Sequence, residues 1–99
     1  MSAQTRDVVI VNRKGLHARA SAKMAELALS LPTIVTISFE GEDADARSIM
    51  DLLCLGAGIG SKVHLRAEGE KAGSALDAVE ALITDGFGEL EEDAACACK

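Results

Sequence analysis

The sequence predicts an α+β fold in two layers, an antiparallel or mixed β-sheet covered on one side by helices. Segments that alternate apolar and polar side chains are interspersed with segments whose apolar side chains recur at helical spacing. Strands with one apolar face and helices with one apolar stripe bury those surfaces together when they form two layers. The chain of 99 residues has room for one compact domain with a modest core.

The first part of the chain is predicted to form a strand, a helix and a second strand. Residues 7–12 contain the β-branched run 8–11, which indicates a buried strand. Helical spacing begins near Ala18, and Pro32 ends the helix because the residue before a proline is pushed out of the helical region. Residues 35–39 then alternate apolar and polar side chains, which is typical of a strand with one buried face.

Two short elements are predicted next. A tight turn at residues 40–42 leads to a polar return strand near residues 43–46. Ser48 is followed by Ile49-Met50-Asp51, a pattern that resembles a capping box, and it should open a short helix that runs through Leu55.

The clearest strand is residues 62–68, with apolar residues on one face and charged or polar residues on the other. One face of the sheet should therefore be exposed to solvent. Apolar residues at helical spacing over 72–83 predict a last helix, which should stop near residues 85–86. We expect a single domain over residues 1–88 and an acidic, disordered tail over residues 89–99.

The charge and the hydropathy exclude several function classes. A formal net charge of −6 argues against general affinity for nucleic acid or anionic membrane, both of which require clustered Lys and Arg. The N-terminus lacks the apolar core of a signal peptide, and no apolar run approaches the roughly 20 residues that span a bilayer. A cytoplasmic protein without membrane insertion is expected.

The three cysteines do not form the framework of a disulfide-stabilised secreted fold. Cys54 lies in an apolar segment, whereas Cys96 and Cys98 lie in the last four residues. A single Cys-x-Cys pair supplies too few ligands for a structural zinc site, so we expect no metal and no cofactor, and interpret the tail as a frayed end. A metal or redox function of Cys96 and Cys98 is the weakest alternative.

The segment Gly15-Leu16-His17-Ala18-Arg19 combines features of an anion site. If a helix begins near Ala18, its unpaired first-turn amides and the positive end of its dipole lie near His17. Gly15 would permit close approach of an anion, and the Arg19 guanidinium suits a phosphate. A neutral imidazole is a competent nucleophile, and a phosphoryl group on a ring nitrogen stays reactive enough to be passed on.

The alternative is a purely structural role, in which His17 only caps or borders a helix. The spacing of the residues alone favours this alternative. A metal site is less favoured still. His64, the other histidine, lies between Lys62 and Arg66 on the predicted wet face, which is a poor setting for a cation ligand. We interpret His64 as a solvated surface residue.

Two segments together resemble the HPr family, the phosphocarriers of the bacterial phosphoenolpyruvate-dependent phosphotransferase system. Residues 15–19 resemble the active-site signature of that family, and residues 46–56 resemble its serine segment with the short helix that follows. The two motifs have the family's separation and the elements have its order, over residues 7–85. The resemblance implies an open-faced sandwich, βαββαβα, with four antiparallel strands under three helices.

The resemblance also implies the roles of the site residues and the partners. His17 would accept a phosphoryl group from Enzyme I on its δ nitrogen and pass it to a histidine of an EIIA-type protein, so the chain would be a carrier rather than an enzyme. Gly15, Ala18 and Arg19 would surround the phosphate. Because such a carrier presents His17 to successive partners, we expect a monomer.

Ser48 corresponds to the serine that an HPr kinase/phosphorylase modifies in some bacteria, although its position as a helix cap explains it equally well. The docking surface implied for the partners consists of apolar side chains around His17, namely Ala18, Ala20, Ile49, Met50 and Leu53. Helix packing is the alternative explanation for some of these residues.

Two departures from the family pattern bear on the interpretation. Ala20 stands where a proline usually follows the arginine. Lys14 stands where the sugar-uptake branch often has asparagine, so the segment resembles the nitrogen-related branch more closely than the sugar-transport branch. The alternative function is a regulatory binding module of the same fold that acts through Ser48 and the docking surface without using His17.

Overall fold

The computed structural model describes residues 3–90 and has the predicted order of elements. The strands and helices are β1 Ala3–Val9, α1 Ala18–Leu29, β2 Thr36–Phe39, β3 Glu42–Asp45, α2 Ile49–Leu55, β4 Lys62–Glu68 and α3 Ala72–Thr84, followed by a 3₁₀ helix, Gly86–Gly88. The predicted tail beyond Leu90, with Cys96 and Cys98, lies outside the described residues.

The four strands form one antiparallel sheet in the order β1-β4-β2-β3, which confirms the predicted α+β sandwich. Strand β4 lies in the interior of the sheet and alternates strictly between exposed and buried residues. Its apolar residues face the helices, and Lys62, His64, Arg66 and Glu68 face solvent. The predicted wet face is therefore present.

Strand β1 begins four residues earlier and ends three residues earlier than the predicted strand, residues 7–12. It pairs with β4 from Ala3 opposite Glu68 to Val9 opposite Lys62, so the start of β4 fixes where β1 ends. The β-branched run is also not buried throughout. Val8 and Ile10 are in the core, whereas Val9 and Val11 point to solvent, as the alternation of an antiparallel strand requires.

The core lies between the sheet and the helices and is built almost entirely from aliphatic side chains. Each helix contributes one buried stripe, which agrees with the helical spacing in the sequence. The largest buried side chains are Ile10, Met24, Ile37, Leu52, Leu65, Leu76, Ile83 and Phe87. None of the helices within residues 3–90 is both long enough and apolar enough to cross a membrane.

The chain does not leave the domain at Gly88. Phe87 is fully buried, and Glu89, which the sequence assigned to the acidic tail, is only 3% exposed. We call residues 86–89 the C-terminal hook. The domain was predicted to end at residue 88, but Glu89 also belongs to it, because the Glu89 carboxylate has polar partners inside the domain.

Candidate functional site

His17 lies at the first turn of α1, where the sequence placed it. It is the N-cap residue, with extended backbone, and its carbonyl accepts the first intrahelical hydrogen bond from the Ser21 amide at 2.8 Å. The His17 side chain makes no capping hydrogen bond, so the first-turn amides of α1 receive no cap from it. The imidazole is 22% exposed, which leaves part of the ring accessible to a partner.

Gly15 shapes the loop between β1 and α1, residues 10–17, which carries His17 and which we call the histidine loop. Its φ is +63°, and an added Cβ would lie 2.5 Å from the carbonyl oxygen of Ala57 and 2.6 Å from the Cα of Gly58. The next amide, that of Leu16, donates to the same Ala57 oxygen at 3.0 Å. The structure thus gives Gly15 a packing reason, because only a residue without a side chain lets the histidine loop lie against the segment after α2.

Asn12 stabilises the same loop through side-chain hydrogen bonds. It is fully buried, and its amide nitrogen donates to the carbonyl of Gly15 at 2.9 Å and to Oε1 of Glu89 at 3.0 Å. Among residues 3–90, no partner lies within hydrogen-bond distance of its Oδ1. Asn12 therefore connects the turn before His17 to the C-terminal hook.

Glu89 contacts His17 directly. Its Oε2 lies 2.6 Å from Nε2 of His17. Burial alone would raise the pKa of the Glu89 carboxyl, but hydrogen bonds from Asn12 and His17, together with the charge of Arg19, outweigh burial and hold that pKa below its ordinary value. The carboxylate is therefore ionised at neutral pH.

Ala18 and Arg19 begin α1 beside the histidine. Both residues are exposed, and the Arg19 charge reaches the carboxylate of Glu89. The structure thus brings Gly15, His17, Ala18 and Arg19 together at one loop and helix start, which combines backbone amides, a guanidinium and an imidazole. Such a set of donors suits a phosphate or another oxyanion.

Helix α2 packs against α1 and carries most of the predicted docking residues. Ile49, Met50 and Leu53 are 41%, 69% and 38% exposed, whereas Leu52 is buried in the core. The inclusion of Ala20 in this surface was wrong. Ala20 is fully buried, because it lies on the stripe of α1 that packs into the hydrophobic core.

Ser48 caps α2 as the sequence indicated. Its Oγ accepts a hydrogen bond from the Asp51 amide at 3.2 Å. The reciprocal half of a capping box is missing, because the Asp51 carboxylate lies 3.4 Å from the Asp45 amide instead. Arg47 pairs with Asp45 through two nitrogens, and this hydrogen bonding lowers the pKa of the Asp45 carboxyl.

His64 is separate from this site in the fold. It is exposed on the solvent face of β4 and pairs with Asp7, which lies opposite it on β1. This position matches the interpretation of His64 as a surface residue.

Asn12 and Glu89 are the residues of this site that sequence reasoning missed. Asn12 offered a signal, since it is a polar residue that directly follows a β-branched run and precedes the histidine loop. Glu89 offered none, because it belongs to a run of acidic residues with no periodicity and contacts residues more than 70 positions away.

Comparisons with known proteins assign the chain to a protein family. The family model for the PTS HPr component phosphorylation site matches residues 4–85. The phosphocarrier protein HPr of Cupriavidus necator is 49% identical over 86 residues, which is 87% of this chain and 97% of that protein. The phosphocarrier protein NPr of Shewanella violacea is 40% identical over 89 residues, which is 90% of this chain and 98% of that protein.

A solved structure has the same fold. The crystal structure of HPr-C-His from Thermoanaerobacter tengcongensis superposes with a TM-score of 0.81 at 32% identity and covers 87% of this chain and 97% of that one. The family match, the relatives and the fold point to one conclusion. The chain belongs to the HPr family of phosphotransferase-system phosphocarriers, proteins that carry a phosphoryl group rather than catalyse a reaction of their own.

Proposed function

We propose that His17 accepts a phosphoryl group from Enzyme I of the phosphotransferase system and passes it to an EIIA-type protein. The observation that carries the proposal is the placement of a partly exposed imidazole at the start of α1, next to Arg19. Helix amides and a guanidinium stabilise the negative charge that the phosphoryl group brings. The proposed acceptor atom is Nδ1, which is the nitrogen that family membership implies.

Arg19 is proposed to hold the phosphoryl oxygens during arrival and departure. Its guanidinium is planar and permanently charged, so it can donate two parallel hydrogen bonds to a phosphate. Gly15 and Ala18 contribute through the backbone, Gly15 by setting the loop and Ala18 by presenting a first-turn amide.

The docking surface is proposed to consist of Ala18 with Ile49, Met50 and Leu53. These side chains are exposed and apolar, and they lie on two helices that pack against each other. Exposed apolar clusters of this kind mark sites of protein association. Enzyme I and the EIIA-type protein would use this surface in turn, which is simplest for a cytoplasmic monomer.

Regulation at Ser48 is a further part of the proposal. A phosphate there would sit at the start of α2, beside the exposed Ile49 and Met50, and would place negative charge within the docking surface. It would also compete with Asp45 for Arg47. Incubation with an HPr kinase/phosphorylase and ATP tests this, with Ser48→Ala as the control, and an unmodified wild-type protein would count against it.

The carrier function is tested by intact mass after incubation with phosphoenolpyruvate and Enzyme I. One added phosphoryl group that is lost in acid is expected for the wild type and for His64→Ala, because His64 lies on the other face of the sheet. His17→Ala should fold normally and gain no mass. Phosphorylation of His17→Ala would contradict the assignment of the acceptor. A wild-type protein that gains no mass from an active Enzyme I would favour the regulatory binding module.

The nitrogen-related pathway remains the proposed context, on the basis of Lys14 before the site glycine. The relatives include both HPr and NPr phosphocarriers, so the choice of EIIA-type acceptor decides between the pathways.

A further inference from the structure

Glu89 lies beyond residues 4–85, the part of the chain that matches the family model, yet its carboxylate touches the site histidine. The inference drawn from this contact rests on the proposed function, because it concerns how His17 is prepared to accept a phosphoryl group. Three features make the contact specific. The C-terminal hook is anchored to the domain, Asn12 orients the Glu89 carboxylate, and the charge of that carboxylate determines which nitrogen of His17 carries the proton.

The C-terminal hook is anchored through both the side chain and the carbonyl of Phe87. Phe87 is fully buried although its φ is +55°, a left-handed conformation that a bulky residue adopts only when its surroundings hold it there. The Phe87 carbonyl accepts a hydrogen bond from Nζ of Lys23 on α1 at 2.7 Å. The position of Glu89 is therefore set by core packing and by a contact with the helix that His17 begins.

Asn12 orients the Glu89 carboxylate. Its amide nitrogen faces two oxygen atoms, the Gly15 carbonyl at 2.9 Å and Glu89 Oε1 at 3.0 Å. A backbone carbonyl only accepts hydrogen bonds, so the Asn12 nitrogen and not its oxygen must point this way. With Oε1 held by Asn12, Oε2 is the oxygen that faces His17, at 2.6 Å from Nε2.

The charge state of Glu89 then determines the tautomer of His17. The favourable contacts of the carboxyl keep it ionised at neutral pH, and an ionised carboxylate has no proton to donate. The proton shared across the 2.6 Å contact must therefore belong to Nε2 of the ring. A neutral imidazole carries a single ring proton, so with Nε2 protonated its free lone pair lies on Nδ1.

We propose that Glu89 is a positioning residue that holds His17 in the Nε2–H tautomer and so presents Nδ1 as the nucleophile. In the transfer step, the Nδ1 lone pair forms the new bond to phosphorus. The bond between phosphorus and the donor atom breaks, and its electron pair returns to the donor. The Nε2 proton stays in place, and Glu89 stabilises the positive charge that the ring gains while the new bond forms.

Substitution Glu89→Gln should reverse the preference rather than only weaken it. The Asn12 nitrogen requires an acceptor, so it would select the oxygen of the glutamine amide. The glutamine nitrogen would then face Nε2 of His17 and donate to it. The ring would hold its proton on Nδ1, where the lone pair is no longer available for attack. Glu89→Ala removes the contact without imposing either tautomer.

The test combines a spectroscopic readout with a chemical one. Long-range ¹H–¹⁵N correlation spectra of the imidazole, recorded at a pH where the ring is neutral, report which nitrogen carries the proton. Phosphoramidate, a small phosphoryl donor, reports the reactivity of Nδ1 without Enzyme I. The matched control is Glu70→Gln, which removes the same charge at an exposed position before α3.

The expected wild-type spectrum shows the Nε2–H tautomer, and Glu70→Gln leaves it unchanged. Glu89→Gln should shift the ring toward Nδ1–H and slow phosphorylation about tenfold, which corresponds to the loss of one hydrogen bond to a charged group. Glu89→Ala should lie between the two. An Nδ1–H tautomer in the wild type would overturn the proposal without recourse to any variant, and so would an unchanged tautomer and rate in a folded Glu89→Gln protein.

Failure of this proposal is distinguishable from failure of the carrier function. A wild type that accepts phosphate from phosphoenolpyruvate and Enzyme I, with a Glu89→Gln variant that does so equally well and keeps its tautomer, would overturn the role of Glu89 alone. A wild type with the Nε2–H tautomer that reacts with phosphoramidate but not with an active Enzyme I would refute the carrier function and support the role of Glu89.

Discussion

Gly15 and Ala57 hold the histidine loop against the segment that follows α2, with the backbones so close that a Cβ on Gly15 would lie 2.5 Å from the Ala57 carbonyl oxygen. The Leu16 amide donates to that same oxygen at 3.0 Å. This contact joins the first motif, residues 15–19, to the segment directly after the second motif, residues 46–56. It thereby holds the histidine loop beside the end of α2.

Gly15→Ala should lower the free energy of unfolding by more than the cost of placing alanine at a positive φ. A side chain in the left-handed region costs roughly 1–2 kcal/mol, and overpacking against rigid backbone adds about 1–3 kcal/mol. Gly56→Ala is the matched control, since Gly56 has φ +65° but open space around the added Cβ. Urea unfolding should show the larger loss for Gly15→Ala, and equal losses would refute the close approach.

Asn12→Asp should be more damaging than Asn12→Ala. The aspartate would place carboxylate oxygens against the Gly15 carbonyl and the Glu89 carboxylate, where the structure has an amide donor. An unpaired buried charge of this kind costs about 3–5 kcal/mol. Unfolding free energies at neutral pH measure the difference. Equal stability of the two variants would show that Asn12 does not face these oxygens.

The Glu89 carboxyl should make stability depend on pH in the acidic range. Its pKa is lowered in the folded state by contacts with Asn12, His17 and Arg19, against the opposing effect of burial. The stabilisation is therefore fully present above the unfolded pKa of about 4.3 and is lost as the pH falls through the lower folded pKa.

This pH effect is measured as the difference in unfolding free energy between the wild type and Glu89→Gln, at neutral pH and at progressively lower pH. The Asp45 carboxyl, whose pKa is lowered by hydrogen bonds from Arg47, is common to both proteins and cancels. The advantage of the wild type should shrink in acid. An advantage that is constant or grows as the pH falls would contradict an ionised Glu89.

Most of the fold and half of the site were predictable from the sequence because they depend on local patterns. Strict alternation defined β4, helical spacing defined α1 and α3, and Ser48 defined the start of α2. Strand β1 was displaced because its ends depend on pairing with β4, which a run of β-branched residues does not encode.

The remainder of the site depends on contacts between distant parts of the chain. Glu89 reaches His17 only because Phe87 is buried in the core and turns the chain back. A single phenylalanine between two glycines forms no periodic pattern from which this burial could be predicted. Ala20 was misassigned for a related reason. Small residues at a helix start can face either the core or a partner, and only the way α1 packs in the folded chain decides between these.

Met50→Glu should impair phosphoryl transfer from Enzyme I and leave the fold intact. Met50 is 69% exposed within the proposed docking surface, and Leu29 is 70% exposed at the far end of α1, roughly 16 Å along the helix from Ala18. Leu29→Glu is thus a control matched in exposure and charge. Initial rates should fall about tenfold for Met50→Glu only, as for a central interface residue. Equal rates for both variants would place the docking surface elsewhere.

The most direct test of the carrier function is onward transfer from the isolated phosphoprotein. The protein would be phosphorylated with phosphoenolpyruvate and Enzyme I, freed of both, and mixed with nitrogen-related and sugar-specific EIIA proteins while the mass of each is followed. We expect the phosphoryl group to leave this protein and to appear on an EIIA protein, and His17→Ala to transfer none. A phosphoryl group that stays on the protein until it is hydrolysed to inorganic phosphate, with every EIIA protein unmodified, would contradict it.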